Sequence, residues 1–388
     1  MNPFFICLFL IVPLLLAGCA SAIRNSGEDS AWIKLEEIDN DSLLVLSRSV
    51  EQRLENHNLL FVDDELEQYL DEILSRLASP HEKQRHNLKI KVLRSRRINA
   101  FAYPHGTIFV SVPLLARITN EGQLAAVLSH ELIHIVNNHA EKNLIKLKER
   151  SGAQIQPHPD LVFLFGEGRH AGSAAAVLSA SLRGYSRELE READSLGVFK
   201  MAAAGYPHDE FLGLFLLLRD YVVTENVAEI PFFNSHPRIT ERIRNYHNII
   251  NNSKLEKSDG DKNEEVFKTR VKNAVLYDAR INTAAGRADL AEAQLDRVLS
   301  IEVCNAEALI MRGDLERHLS PRSTAFFLWY ESALQCDSDN TGALRALGYG
   351  YHSIGNFEKA REYLSKYSEL APDAADIKMA EETLRRCF

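Results

Sequence analysis

The sequence predicts a mainly helical α+β fold, in which a domain with a small β-sheet is followed by an α-solenoid. Three observations favour this fold class. The stretch from Gln123 to Leu147 lacks Gly and Pro and is rich in apolar residues near its start, which predicts helix. Segments 88–93 and 107–112 alternate apolar and polar residues and predict β-strands. Beyond residue 265, small residues recur at a spacing of about 34, which predicts stacked helix pairs.

The first residues form an apolar run that ends in Leu16-Ala17-Gly18-Cys19. Small residues before a Cys match the bacterial lipoprotein processing signal, which predicts a signal peptide over residues 1–18, a lipid-modified Cys19 and an anchored linker over residues 19–40. An uncleaved N-terminal anchor is the alternative, and the lack of Lys or Arg before the run favours it. Ala20 after the Cys indicates the outer membrane, and no other stretch is suited to span a bilayer, so we expect a periplasmic body.

The sequence His130-Glu131-Leu132-Ile133-His134 predicts a metal site on the first of these helices. Residues four apart on a helix differ by about 40° around the axis, so His130 and His134 share a face and can hold one zinc ion. Glu131 projects to the side, where it can take a proton from an attacking water. The alternative is a buried helix with incidental histidines. His139 falls on the far side of the helix from His130, and we interpret it as structural.

A catalytic zinc site usually has three protein ligands. The run Glu188-Leu189-Glu190-Arg191-Glu192-Ala193-Asp194 offers a third, because Glu190 and Asp194 share a helical face. A carboxylate one turn beyond the ligand can accept the second N–H of a zinc-bound His. Alone, this acidic run is more typical of a solvated helix face; beside two suitably spaced histidines, the metal interpretation is favoured. Glu188 and Glu192 are predicted to be surface charges.

These segments resemble the gluzincin metallopeptidases of the HtpX and BepA type, zinc proteases of envelope quality control that are related to the CAAX prenyl proteases. The resemblance rests on residues 128–134 and on Glu190-Arg191-Glu192-Ala193-Asp194. It implies a zincin-type fold with His130, His134 and Glu190 as ligands of one Zn²⁺. It also implies Glu131 as general base and Asp194 as the partner of a ligand.

Two further segments extend the resemblance across roughly residues 40–250. Residues 99–110 resemble the family's N-A-F-A strand, although His105 and Pro113 stand at or near positions where the family has Gly. Residues 235–243 resemble its S-H-P-x-x-x-x-R-I element. Three interpretations of His236 stay open: a fourth ligand that keeps the site latent, a donor to the oxyanion, or a structural His in a His-Pro turn.

The predicted strand at 107–112 carries a hypothesis about substrate. An edge strand above a metal helix can bind extended polypeptide through its backbone groups, without demanding a particular sequence. We therefore expect this strand either to hold unfolded polypeptide in this way or to be an ordinary structural strand. Pro104-His105-Gly106 is predicted to form the turn that precedes it.

The organisation predicted from these signals is a metallopeptidase domain over residues 41–250, a charged linker over 251–265 and a tetratricopeptide-like repeat domain over 266–388. Equivalent small or apolar positions define three repeats, with a plain helical bundle as the alternative. The positions are Ala279, Gly313 and Gly348 in one set and Ala291, Phe326 and Ala360 in the other.

Cysteine usage and charge limit the remaining possibilities. Cys304, Cys336 and Cys387 all fall in the repeats; the periplasm permits one disulfide among them, and their pairing stays open. A net charge of −9 gives no basis for nucleic-acid binding.

The sequence therefore predicts a lipid-anchored periplasmic zinc endopeptidase. By the resemblance, its substrates would be unfolded or misassembled outer-membrane proteins, and its repeats would bind the assembly machinery or another protein. The rival hypothesis is a chaperone-like or adaptor lipoprotein with a latent or structural zinc site. An intact Glu131 argues against the rival, because a purely structural site needs no base.

Overall fold

The computed structural model of the chain describes residues 33–34, 39–150, 154–155, 185–224, 239–253, 255 and 260–387. These residues belong to two compact units, one drawn from residues 1–54 and 140–183 and the other from residues 55–139 and 184–388. The predicted signal peptide, Cys19 and His236 lie outside the described residues.

In chain order, the helices of the described residues are α1 (Asn40–Asn56), α2 (Asp64–Leu77), α3 (Pro80–His86), α4 (Val112–Arg117), α5 (Glu121–Val136), α6 (His139–Arg150), α7 (Arg187–Ala203), α8 (Asp209–Thr224), α9 (Ile239–Asn252), α10 (Glu264–Ala284), α11 (Ala288–Ile301), α12 (Ala306–Leu319), α13 (Phe326–Cys336), α14 (Thr341–Ser353), α15 (Phe357–Leu370) and α16 (Ile377–Arg385). The strands are β1 (Ile33–Lys34), β2 (Lys89–Leu93), β3 (Ala100–Ala102), β4 (Thr107–Ser111) and β5 (Gln154–Ile155). In the described part of the first unit, β1 pairs antiparallel with β5.

The second unit contains a three-stranded sheet in the order β2-β4-β3. Strand β4 pairs in parallel with β2 and antiparallel with β3, so both of its edges are occupied. The hypothesis that the 107–112 strand is an edge that binds polypeptide is therefore wrong. Strand β4 is the central strand and is buried along its whole length, and β2 and β3 form the edges of the sheet.

The turn before β4 joins it to β3, and the two strands form an antiparallel hairpin. The separate strand β3 was not predicted from the alternation of apolar and polar residues. Gly106 supplies the positive φ of this turn, at 110°, so the neighbouring His105 needs no unusual backbone conformation. Pro113 lies in the first turn of α4, where its missing N–H costs no hydrogen bond. Both departures from the family pattern are thus accommodated.

The repeat region consists of the helix pairs α10–α11, α12–α13 and α14–α15, followed by α16. Two small residues of the predicted repeat, Gly313 and Gly348, lie where the helices of a pair pack closely. A methyl group added at Gly313 would lie 2.4 Å from the Tyr330 ring, and one added at Gly348 would lie 2.6 Å from Leu364. The predicted fold class, a small-sheet α+β domain followed by an α-solenoid, is confirmed.

Helix α10 shares a hydrophobic core with the preceding domain. Phe267, Val271 and Val275 of this helix are fully buried in the same apolar cluster as Leu114 and Leu115 of α4. The domain boundaries given above remain predictions. The first repeat helix, α10, is therefore part of the same hydrophobic core as helix α4.

A disulfide joins Cys304 and Cys336, with Cα atoms 5.3 Å apart. It links the loop before α12 to the last residue of α13. Among the described cysteines, Cys387 is the one that keeps a free thiol, and it is partly buried. In the described ranges, no helix combines the length and the apolarity that crossing a bilayer requires.

Candidate metal centre

Helix α5 carries the His-Glu-x-x-His sequence, and nearly all of it is buried. Its apolar residues are spread around the helix and not confined to one face, as expected for a helix that crosses the middle of a core. Its first turn is fixed by polar contacts: Asn120 Oδ1 accepts from the Gln123 N–H at 2.9 Å. The Glu121 carboxylate accepts hydrogen bonds from four side chains of other segments, namely Tyr69, Arg76, Tyr206 and Asn263.

Helix α7 brings the acidic run against α5. Gly197 lies at the crossing, and a methyl group there would approach the His130 backbone nitrogen to 3.3 Å. This close approach places Glu190 and Asp194, which are 4% and 1% exposed, beside the histidines of α5. The predicted shared face of these two acids is observed.

Three side chains converge in this buried space. The Nε2 atoms of His130 and His134 lie 3.0 Å apart. One oxygen of Glu190 lies 3.6 Å from the His130 Nε2, and the other lies 3.6 Å from the His134 Nε2. Of the described His, Cys, Asp and Glu residues, these three form the one group close enough to hold a metal ion.

The outer nitrogen of His130 faces the predicted partner. Its Nδ1 lies 3.0 Å from Asp194 Oδ1. An anionic acceptor at this nitrogen favours the tautomer with the proton on Nδ1, which leaves the Nε2 lone pair directed at His134 and Glu190. Asp194 therefore occupies the position expected of the partner of a ligand.

Arg242 of α9 completes this network and was given no role in the sequence analysis. Its Nε donates to both Asp194 oxygens at 3.1 Å, its Nη2 donates to Oδ1 at 2.6 Å, and Nη2 also lies 3.0 Å from His130 Nδ1. Burial lowers the pKa of Arg242, but the carboxylates of Asp194 and Glu190 outweigh burial and raise it above its ordinary value. Arg242 is the arginine of the S-H-P-x-x-x-x-R-I element, and that motif was the available signal.

The outer nitrogen of His134 faces a residue that the sequence analysis misplaced. Its Nδ1 lies 2.9 Å from Nδ1 of His139, which is fully buried. Tyr185 also contacts His134: the two rings are stacked nearly parallel, with their centroids 4.0 Å apart. The expectation that His139 lies on the far side of the helix is wrong, because α5 ends at Val136 before that residue is reached.

Glu131 is buried in the same region, at 1% exposure. Burial, followed by the charges of Glu131 and Glu190, raises the pKa of Tyr185 well above its usual range. Tyr185 therefore stays protonated at neutral pH. Glu131 and Glu190 therefore both lie close enough to Tyr185 to act on it electrostatically.

The donor set fits a zinc ion. Ligand atoms held at about 2.0–2.1 Å from a tetrahedral ion lie about 3.3 Å apart. The observed separations of 3.0, 3.6 and 3.6 Å lie on either side of that value. With both outer nitrogens engaged, two imidazole lone pairs and a carboxylate point at one another, an arrangement that a divalent cation stabilises.

These features define a class: the fold and the His-His-Glu cluster are those of a metallopeptidase domain. Residues 63–250 match the model of Peptidase family M48, which confirms the resemblance to this type of metallopeptidase read from the sequence.

Curated relatives share this part of the chain. A Vibrio cholerae protein named "Putative beta-barrel assembly-enhancing protease" is 27% identical over 243 residues, which cover 60% of this chain and 50% of the relative. The "Mitochondrial metalloendopeptidase OMA1" of Saccharomyces cerevisiae is 29% identical over 150 residues, 38% of this chain and 42% of the relative. The "Beta-barrel assembly-enhancing protease" of Escherichia coli K12 is 25% identical over 152 residues, 38% of this chain and 31% of the relative. The chain thus spans half the length of these relatives or less.

One solved structure, "Crystal structure of YrrB: a TPR protein with an unusual peptide-binding site", covers 63% of this chain and 99% of its own. Its identity of 16% and TM-score of 0.26 are too low to support a shared fold.

Proposed function

We propose that this protein is a zinc-dependent endopeptidase that cleaves unfolded or misassembled polypeptides in the periplasm. The observation that carries the proposal is the convergence of His130, His134 and Glu190 within one buried cluster. In this role the two His and Glu190 hold Zn²⁺. The metal supplies a Lewis acid that polarises the peptide carbonyl and makes water a better nucleophile.

Glu131 is the proposed general base. It takes a proton from the attacking water as the C–O bond forms, and it then delivers that proton to the leaving amine nitrogen as the C–N bond breaks. The charge of Glu131 raises the pKa of both Arg242 and Tyr185, so its carboxylate lies close to these two groups.

Substrate binding is proposed for strand β3 in place of β4. Strand β3 is an edge of the sheet and packs against helix α5. Asn99 and Tyr103 direct their backbone groups at β4, through the bonds Ser111 N–H to Asn99 O and Tyr103 N–H to Thr107 O. Since backbone groups alternate in direction along a strand, those of Ala100 and Ala102 face away from β4, where an extended peptide can pair with them.

The location and partners are inferred from three supports. The resemblance of residues 16–19 to a lipoprotein processing signal supports a lipid anchor at Cys19 in the outer membrane. The Cys304–Cys336 disulfide is typical of an oxidising compartment such as the periplasm. Two relatives are named for β-barrel assembly, so we propose outer-membrane proteins as substrates and their assembly machinery as a partner of the repeats.

The alternative is a chaperone-like or adaptor lipoprotein with a latent or structural zinc site. The helix pairs of the repeat region favour it, since stacked helix pairs bind proteins without any chemistry. Latency would require a fourth ligand, for which His236 is the candidate from sequence.

The test compares wild type with Glu131→Gln, each loaded with Zn²⁺, on casein and on an unfolded outer-membrane β-barrel protein. Glu188→Gln is the matched control, because Glu188 lies on α7 with its side chain 66% exposed. We expect Glu131→Gln to lower cleavage by about 10²–10⁴-fold without loss of zinc, because a general base contributes that much. Glu188→Gln should match wild type, and chelator should abolish its cleavage. Equal, negligible cleavage by all three would support the alternative.

A further inference from the structure

The position of His139 is set by the end of the metal helix. Helix α5 ends at Val136, and Asn138 adopts a positive φ of 51°, which asparagine tolerates better than most residues. This conformation falls between the last residue of α5 and the first residue of α6. His139 is then the first residue of α6, and its ring meets the His134 ring edge-on, with centroids 4.9 Å apart.

The contact between the two rings requires one donor and one acceptor. Their Nδ1 atoms are 2.9 Å apart, a hydrogen-bond distance. For His134 to offer its Nε2 lone pair to a cation, its neutral ring must carry the proton on Nδ1. It then donates to Nδ1 of His139, which in turn must carry its own proton on Nε2.

Glu192 lies where it favours that tautomer of His139. Its Oε2 is 3.6 Å from His139 Nε2, and its Oε1 accepts from Asn137 Nδ2 at 2.6 Å. A carboxylate near Nε2 stabilises a proton on that atom, so the lone pair of His139 is left on Nδ1. Glu192 therefore differs from the surface charge that the sequence predicted, although it is partly exposed.

We propose that His139 is a positioning residue for the metal centre, and that it fixes the tautomer and ring orientation of His134 by accepting its Nδ1–H. Glu192 orients His139 in turn. The two histidines on the metal are then supported by different acceptors, a carboxylate for His130 and an imidazole for His134. This inference rests on the proposed function only in assuming that the cluster binds a divalent metal.

A packing role for His139 is the competing explanation, and two substitutions separate the roles. His139→Phe keeps a ring against Tyr185 and His134 but has no acceptor. His139→Asn loses the ring, but its side-chain oxygen can occupy the place of Nδ1 and accept the same hydrogen bond. A hydrogen-bonding role predicts that Asn preserves metal affinity and Phe does not; a packing role predicts the reverse order.

The experiment measures Zn²⁺ affinity of the full chain by competition with a chelator. Thermal unfolding of the metal-free proteins serves as the control for folding. We expect His139→Phe to weaken zinc binding by about 10–100-fold, the usual effect of losing such a partner, and His139→Asn to stay within about threefold of wild type. Absorption of the Co²⁺-loaded proteins should change for Phe and stay close to wild type for Asn.

A second pair of variants keeps the inference testable if His139→Phe fails to fold. Glu192→Gln should weaken zinc binding in the same direction but by less, whereas Glu188→Gln on the same helix should leave it unchanged. Wild-type affinity in His139→Phe, or in Glu192→Gln when the Phe variant does not fold, would overturn the inference alone. A weaker His139→Asn than His139→Phe would also overturn it. If wild type binds no zinc, the proposed function fails and the inference fails with it.

Discussion

The disulfide between Cys304 and Cys336 allows a quantitative prediction for the repeat region. The two residues are 32 positions apart, so replacing both with Ser frees a loop of that length in the unfolded chain. On the chain-entropy model, closing such a loop stabilises the folded state by about 3.7 kcal/mol at 25 °C, between the about 3 kcal/mol of a 15-residue loop and the about 4.7 kcal/mol of a 100-residue loop. We expect the double Ser variant to lose free energy of unfolding of that order.

Urea unfolding followed by the fluorescence of Trp329 measures this loss. Trp329 lies on α13, the helix that ends at Cys336, and so it reports on the segment that the disulfide holds. Trp32 is replaced by Phe in every sample so that Trp329 is the one tryptophan whose emission is followed, since the sequence contains two Trp residues. With a denaturant slope of about 2 kcal/mol/M, the midpoint should fall by about 2 M urea.

The controls decide whether the reasoning holds. Cys387→Ser keeps the disulfide and should leave the midpoint unchanged. Reductant should shift wild type to the midpoint of the double variant and should not move the double variant itself. A loss below about 1 kcal/mol, far under the loop-closure value, would refute the entropic argument. An equal shift in Cys387→Ser would refute the pairing.

Two other predictions concern buried charges near the metal helix. Arg242→Met removes the cation that faces Asp194 in a fully buried network, so thermal unfolding should show a loss of about 3–5 kcal/mol in the free energy of unfolding. Adding Asp194→Asn should recover much of that loss, whereas a loss under about 1 kcal/mol for Arg242→Met would contradict the prediction. Burial raises the pKa of Glu121, but its four hydrogen-bond donors outweigh burial and lower the pKa below 4.5. The ionised carboxylate therefore stabilises the fold above pH 4.5, and this stabilisation is lost as the pH falls through the lower folded-state pKa. Glu121→Gln should therefore be less stable than wild type at neutral pH and should lose less free energy of unfolding on acidification, as measured by urea titrations; parallel pH profiles would argue against it.

The sequence was sufficient for the local part of the site. The spacing of His130 and His134 within one helix, and of Glu190 and Asp194 within another, determines which side chains share a face. The family pattern then joined the two helices. The structure brings these four residues together, as predicted.

Three features escaped prediction because they depend on where a helix stops, how strands are ordered or how distant helices pack. Extrapolating α5 past Val136 placed His139 on the wrong side, since a turn at Asn138 cannot be inferred from helical periodicity. The central position of β4 depends on pairing with β2 and β3, and alternation along one strand carries no information about its neighbours. Arg242 meets His130 across 112 positions of sequence, a contact set by how α9 packs.

The packing of α10 into the core beside the metal helix has a mechanical consequence. The residues just before α10 are joined to the first turn of α5: the Glu121 N–H donates to Lys262 O at 3.0 Å, and Asn263 Nδ2 donates to the Glu121 carboxylate at 2.8 Å. A load that shifts α10 along its axis must therefore pull on the start of the helix that carries both histidines. A displacement of the repeat helices is in this way transmitted to His130 and His134, and cutting the chain just before α10 would expose apolar surface on both sides of the cut.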